Sequence, residues 1–168
     1  MGIDPGFSIT GFGVIEQQMG KAHLIDHGFL KLPANKTLQE RVGFFHEFFV
    51  EKIETFKITD IALEIPFLGK NAQTFLKLGY LRGIIYLLSN HYKTSLYEMS
   101  PREVKLAVTG FGGAEKEQVA RIIYTLFPAI SNAQKADVTD AIAISLCGLW
   151  KRKQEHSLAH QYLKLHAK

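Results

Sequence analysis

The sequence predicts an α/β domain built on one mixed five-stranded sheet flanked by helices, and three observations lead there. The opening thirteen residues, M-G-I-D-P-G-F-S-I-T-G-F-G, run from an apolar start through a turn at Pro5-Gly6 into a second strand-like run from Ile9 to Ile15. Further along, apolar residues spaced by three and four mark amphipathic helices that alternate with two short apolar strands. Finally, 168 residues with 46% hydrophobic content bury one sizeable core, and two full domains are not expected.

The elements follow in order. Asp4 stands at the mouth of the opening hairpin, and Ala22 to Gly28 extends it to a three-stranded meander. From Thr37 to Phe56, Leu38, Val42, Phe45, Phe49, Ile53 and Phe56 form one helical face, widened by Phe44 and Phe48. Ile61-Ala62-Leu63-Glu64-Ile65 is a fourth strand stopped by Pro66, with Glu64 its one charged residue. A helix over 71–90 carries Phe75, Leu78, Leu81, Ile85 and Leu88 on one side. On the same helix Gly79 and Gly83 would let another backbone approach closely, at roughly 1 kcal/mol each in propensity. Ser95 to Met99 is a fifth strand, and Ser100-Pro101 caps a short helix bearing Arg102 and Lys105. After Gly110-Phe111-Gly112-Gly113, a helix from Ala114 to Phe127 carries Lys116 in its first turn, where the dipole favours an anion. No G-K-[ST] follows those glycines, so the loop is not a Walker A motif. The last helix begins near Asp137 and runs to Trp150, with Asp137 and Asp140 three apart on one face.

Charge and cysteine content narrow the class. Residues 1–150 balance 15 basic against 15 acidic side chains, so the net charge of +4 comes from 151–168, a basic tail that is helical or disordered. Its K-R-K run at 151–153 fits either phosphate contacts or a solvated helix end. Cys147, the single cysteine, sits among apolar residues and is expected to pack as one. No apolar run approaches the roughly 18 residues of a membrane span, and the N-terminus lacks the layout of a secretion signal, so no membrane association and a cytoplasmic location are expected.

Asp4, Glu64, Asp137 and Asp140 each end or begin an element whose neighbours are apolar. If the strands bearing Asp4 and Glu64 are adjacent and the last helix crosses them, the four converge. Such a cluster repels itself unless protons or cations neutralise it. With only oxygen donors and no cysteine or histidine spaced for zinc, Mg²⁺ is the natural ion, and two ions bridged by a shared carboxylate would serve phosphodiester hydrolysis.

The order of elements and the local strings resemble the RuvC family of bacterial Holliday-junction resolvases, which have a ribonuclease H-like fold. The resemblance covers Gly2 to about Trp150, the span of the expected nuclease domain (1–150). It rests on G-I-D-P-G at 2–6, T-G-F-G-V from 10, E-I-P-F at 64–67, K-N at 70–71, K-L-G at 77–79 and R-G at 82–83. It continues through P-R-E-V-K at 101–105, G-F-G-G-A-E-K-E-Q-V at 110–119 and A-D-V-T-D-A at 136–141.

What the resemblance implies is a homodimeric endonuclease that nicks two strands of a four-way DNA junction symmetrically, in recombination and repair. The RuvA/RuvB branch-migration complex would be its partner. Asp4, Glu64, Asp137 and Asp140 would be the ligands of two Mg²⁺ ions, with Mn²⁺ able to substitute. Lys105 and Lys116 would stand near the scissile phosphate. Phe67 would stack on or wedge between junction bases, and Lys70, Asn71 and Lys77 would add DNA contacts alongside Lys105 and Lys116. Gly79 and Gly83 would lie in the dimer interface. Three departures from the family's pattern stand out: a short first strand, with only Met1 ahead of Gly2; Met99 where an aromatic residue is common; and Leu81 where a small residue is usual at the dimer helix.

Two other classes are weighed against this. An actin-like or sugar-kinase ATPase opens similarly but needs a second domain of comparable size, which 168 residues do not provide. A junction-binding protein of the same fold without cleavage activity would be expected to lose acids, and all four are present.

Overall fold

The computed structural model describes residues 1–66, 72–130 and 136–166. Five strands, β1 (Gly2–Asp4), β2 (Ile9–Gln18), β3 (Lys21–Lys31), β4 (Asp60–Glu64) and β5 (Ser95–Met99), form one sheet in the order β3-β2-β1-β4-β5. β1, β2 and β3 pair antiparallel, while β1–β4 and β4–β5 are parallel, so the sheet is mixed. The helices are α1 (Leu38–Phe56), α2 (Ala72–Tyr92), α3 (Pro101–Thr109), α4 (Lys116–Leu126) and α5 (Ala136–His166).

Strand alternation divides the core between the two faces of the sheet. Ile3, Ile61 and Leu63 join Phe45, Phe49 and Ile53 of α1 and Leu81, Ile85 and Leu88 of α2 in one cluster. Ala62, Tyr97 and Met99 join α3, α4 and α5 in the other, with Val138, Ile142 and Leu146 fully buried.

Two features fix α5 on the sheet. Gly2 and Gly11 lie beneath it so closely that a Cβ at either position would overlap backbone of α5, at Ala141 and Asp137 respectively. Ser145 then stitches the layers together: its Oγ accepts from the Gly2 N–H at 2.6 Å and donates to the Gly13 carbonyl at 2.7 Å. Both contacts are buried, where an unmade hydrogen bond costs about 1–3 kcal/mol.

Local chemistry accounts for the ends of the helices. Thr37 and Glu40 form a capping box at α1, and Ser100 and Glu103 form another at α3, where Pro101 opens the first turn. α4 starts two residues later than its apolar pattern suggests: Ala114 is buried ahead of the N-cap Glu115. β3 runs three residues beyond Gly28, paired with β2 throughout apart from a bulge at Val14/Ile15.

The expected end of the last helix at Trp150 is corrected, because α5 continues to His166. No glycine or proline interrupts 151–166, and good helix formers fill it. The K-R-K run is also not simply solvated: Lys151 Nζ donates to the Glu98 carbonyl at 3.0 Å and Arg152 pairs with Asp60 at 2.8 Å. A second correction concerns α2. Phe75, expected on the buried side, is exposed, whereas Leu81, Ile85 and Leu88 are buried there as expected. Among the described residues no helix is long and apolar enough to cross a membrane.

Candidate active site

Asp4 ends β1 and Glu64 ends β4, and the parallel register Ile3↔Leu63 sets them side by side at the same end of the sheet. A turn of four residues, Pro5 to Ser8, follows Asp4. Buried Thr10 closes it, accepting from the Gly6 N–H at 3.2 Å and donating to the Gly6 carbonyl at 2.9 Å. Because Gly11 admits the Asp137 backbone so closely, the first turn of α5 lies over the end of β1, with Val138 and Ala141 packed inward and Asp137 and Asp140 half-buried.

The electrostatics are those of a crowded acidic site. Burial, reinforced by Asp140, Glu64 and Asp137, pushes the Asp4 carboxyl up from 3.8 to about 7, with Lys116 opposing. Glu64 is raised too, by burial and by Asp140, against Lys116 and Lys105. Lys116, at the first position of α4, donates to Asp140 Oδ2 at 2.7 Å, and this bond chiefly raises the lysine's own pKa. Its side chain remains 70% exposed, so this one bond, with little packing around it, holds it there.

Asp4 thus feels the other three acids and Lys116, and Glu64 feels Asp140, Lys116 and Lys105. An all-oxygen donor set with a half-buried carboxyl held near neutrality suits a hard divalent cation. Among the described residues no three His, Cys, Asp or Glu side chains are already drawn together as a metal cage; Lys116 takes up Asp140 in this arrangement. A cavity of about 840 Å³ lies at the opposite end of the sheet among Met1, Ile15, Asp60, Tyr97, Gly148 and Arg152, away from the acids.

The remaining sequence-predicted residues fall as follows. Lys105 is half-buried on α3 and is felt by Glu64. Lys77, on α2, stands 5.6 Å from the centre of the Phe7 ring in the turn after Asp4. Gly79 and Gly83 are exposed on α2, with open space where a side chain would be. Phe67, Lys70 and Asn71 lie outside the described residues.

Two arginines near the site were given no role by the sequence, Arg82 appearing only within the R-G string at 82–83. Arg41 of α1 stacks over Phe7, 4.0 Å from its ring centre, and donates to the Phe7 carbonyl. Arg82 of α2 is 7% exposed and donates through Nη1 to the Glu64 carbonyl at 2.6 Å. A charged residue beside Leu81 on an otherwise apolar helix face was the available signal for Arg82.

A mixed sheet in this order, with acids at the ends of two adjacent parallel strands and a helix laid over them, defines a ribonuclease H-like protein. The family model described as "Crossover junction endodeoxyribonuclease RuvC" matches residues 1–148. The chain belongs to that family. The crossover junction endodeoxyribonuclease RuvC of Chlorobium phaeobacteroides is 41% identical over 149 residues, covering 89% of this chain and 80% of the relative. The Moorella thermoacetica enzyme of the same name is 33% identical over 159 residues, covering 92% and 95%. Among solved structures, T. thermophilus RuvC in complex with a Holliday junction substrate matches with a TM-score of 0.85 at 27% identity, covering 92% of this chain and 94% of that one.

Proposed function

We propose that this chain is a structure-specific endonuclease that resolves four-way DNA junctions by paired, symmetric phosphodiester hydrolysis in recombination and repair. The observation that carries the reading is the electrostatic coupling of Asp4 to Glu64, Asp137 and Asp140 at one end of the sheet, in a member of this family. The four would hold Mg²⁺, two ions with Mn²⁺ as a substitute, and the bound metal would supply an activated water and stabilise the leaving oxygen.

The chain's own groups prepare that chemistry. Asp4 gives up the proton it partly holds when positive charge enters the cluster, because burial and like charges raise its carboxyl to about 7. Lys116 and Lys105, both facing the acids, offer fixed positive charge to a phosphate placed there. Lys77 and Arg41, flanking the Phe7 turn, extend basic character beside Asp4 and suit backbone phosphates. Contacts from Phe67, Lys70 and Asn71 belong to the same reading.

A homodimer is supported by α2, whose outward face presents Leu76, Gly79, Tyr80, Gly83 and Leu87 at helical spacing, with nothing among the described residues covering the two glycines. Two copies would give the two symmetric cuts. A cytoplasmic site of action and a RuvA/RuvB branch-migration complex as partner belong to the same proposal.

The test is cleavage of a four-way junction beside linear duplex of the same sequence, with and without Mg²⁺. Paired nicks on the junction alone, dependent on Mg²⁺, are expected; equal cutting of both substrates would overturn the junction assignment.

A further inference from the structure

We propose that Arg82 is a positioning residue for Glu64: its guanidinium, buried between α2 and the sheet, clamps the peptide that carries this acid and so sets the carboxylate against Asp4. The inference rests on the reading of the acidic cluster as a metal centre.

The argument starts from the cost of burying a guanidinium. Arg82 sits beside the core residue Leu81 and is almost without solvent, so its charge and donors need partners inside the fold. Nη2 meets Glu98 Oε1 and the Tyr86 hydroxyl, the latter at 2.8 Å, and Tyr86 in turn donates to Glu98 at 2.7 Å. That ion pair alone would answer the charge. Nη1 is nevertheless spent on a neutral group, the Glu64 carbonyl, at 2.6 Å.

The place of that carbonyl gives the contact its consequence. The β1–β4 ladder ends at Ile3↔Leu63, and beyond Glu64 the Ile65 N–H donates to the Met99 carbonyl at 2.7 Å. Arg82 therefore supplies a donor where sheet pairing from β1 has run out. Glu98, on β5, is itself anchored through its carbonyl to Lys151 of α5. The guanidinium thus joins the ends of β4 and β5 to α2 and fixes the backbone from which Glu64 projects toward Asp140, Lys116 and Lys105. A side chain that orients a metal-binding acid in this way typically governs metal affinity by about 10- to 100-fold.

Three variants separate positioning from plain stability, each read by calorimetric Mn²⁺ titration, melting temperature, junction affinity without divalent ions, and junction cleavage. Arg82→Met is expected to bind Mn²⁺ about 10- to 100-fold more weakly and to lose kcat in the same range, with junction affinity within about twofold of the parent. Arg82→Lys keeps positive charge against Glu98 but not the fork that also reaches the Glu64 carbonyl. It should melt near the parent yet bind Mn²⁺ about tenfold more weakly. Glu98→Gln removes the ion pair and leaves the Nη1 bond, so Mn²⁺ affinity should stay within about threefold even where melting falls. Parental Mn²⁺ affinity in both Arg82 variants, or an equal loss in Glu98→Gln, would overturn the proposal. Failure of the parent itself to bind Mn²⁺ would instead overturn the reading of the acidic cluster.

Discussion

Replacing Asp4 by Asn is expected to stabilise the metal-free protein at neutral pH while abolishing cleavage. The Asp4 carboxyl is raised from 3.8 to about 7, which at roughly 1.4 kcal/mol per pH unit sets a ceiling near 4 kcal/mol. The sign follows from proton counts. Between about pH 4 and pH 7 the folded protein holds a proton on Asp4 that the unfolded chain has released, so stability falls as pH rises through that window. Asparagine removes the titration and keeps the shape. The variant should therefore gain little at pH 4 and most at pH 7 and above. Because the charge is shared with Glu64, Asp137 and Asp140, a gain of about 1–3 kcal/mol is expected, or roughly 3–10 °C in melting temperature. Thermal melts from pH 4 to pH 8 in chelator, with and without added Mg²⁺, measure it. Mg²⁺ should raise the melting temperature of the parent more than that of the variant. An unchanged or lower melting temperature at pH 8 would refute the claim that burial and the neighbouring acids disfavour an ionised Asp4.

Other substitutions probe the remaining parts of the site. Asp140→Asn should abolish Mg²⁺-dependent nicking, release Lys116, and leave junction binding in a gel-shift assay within about threefold. Lys116→Ala should slow single-turnover cleavage by about 100-fold while weakening junction binding far less, and equal losses would make it a backbone contact only. Gly83→Leu places a branched side chain on the open face of α2 and should shift the protein toward monomer in sedimentation; an unchanged dimer would remove Gly83 from the interface.

Much of this was written locally in the sequence, and what was not has a common physical origin. β5 begins at Ser95 and ends at Met99 as its apolar run suggests, because Ser100-Pro101 is both a stop and a cap. The acids could be read as a group because each interrupts an apolar stretch at an element boundary. What brings them together is less visible. Gly2, Gly11 and Gly13 form the floor on which α5 rests, yet in sequence they read only as parts of a hairpin. Helical periodicity also treats α2 as one-sided, whereas Leu81, Ile85 and Leu88 face the core while Gly79, Gly83 and Leu87 face outward. Arg82 was legible as a string without a role, since its partners Glu64 and Glu98 are 18 and 16 residues away. The extension of α5 past Trp150 was half legible: 151–166 holds helix formers and no Gly or Pro, but its anchors, Asp60 and Glu98, come from distant strands.

The account turns on four carboxylates folded together to receive a divalent cation, and proton release on binding tests that most directly. At pH 6 Asp4 is mostly protonated, so Mn²⁺ binding should expel close to one proton per chain, and at pH 8.5 almost none. Calorimetric titrations in two buffers of different ionisation enthalpy count those protons. The account predicts a release that falls with rising pH and disappears in Asp4→Asn; Mn²⁺ binding with no proton release at pH 6, or unaltered by that substitution, would contradict it.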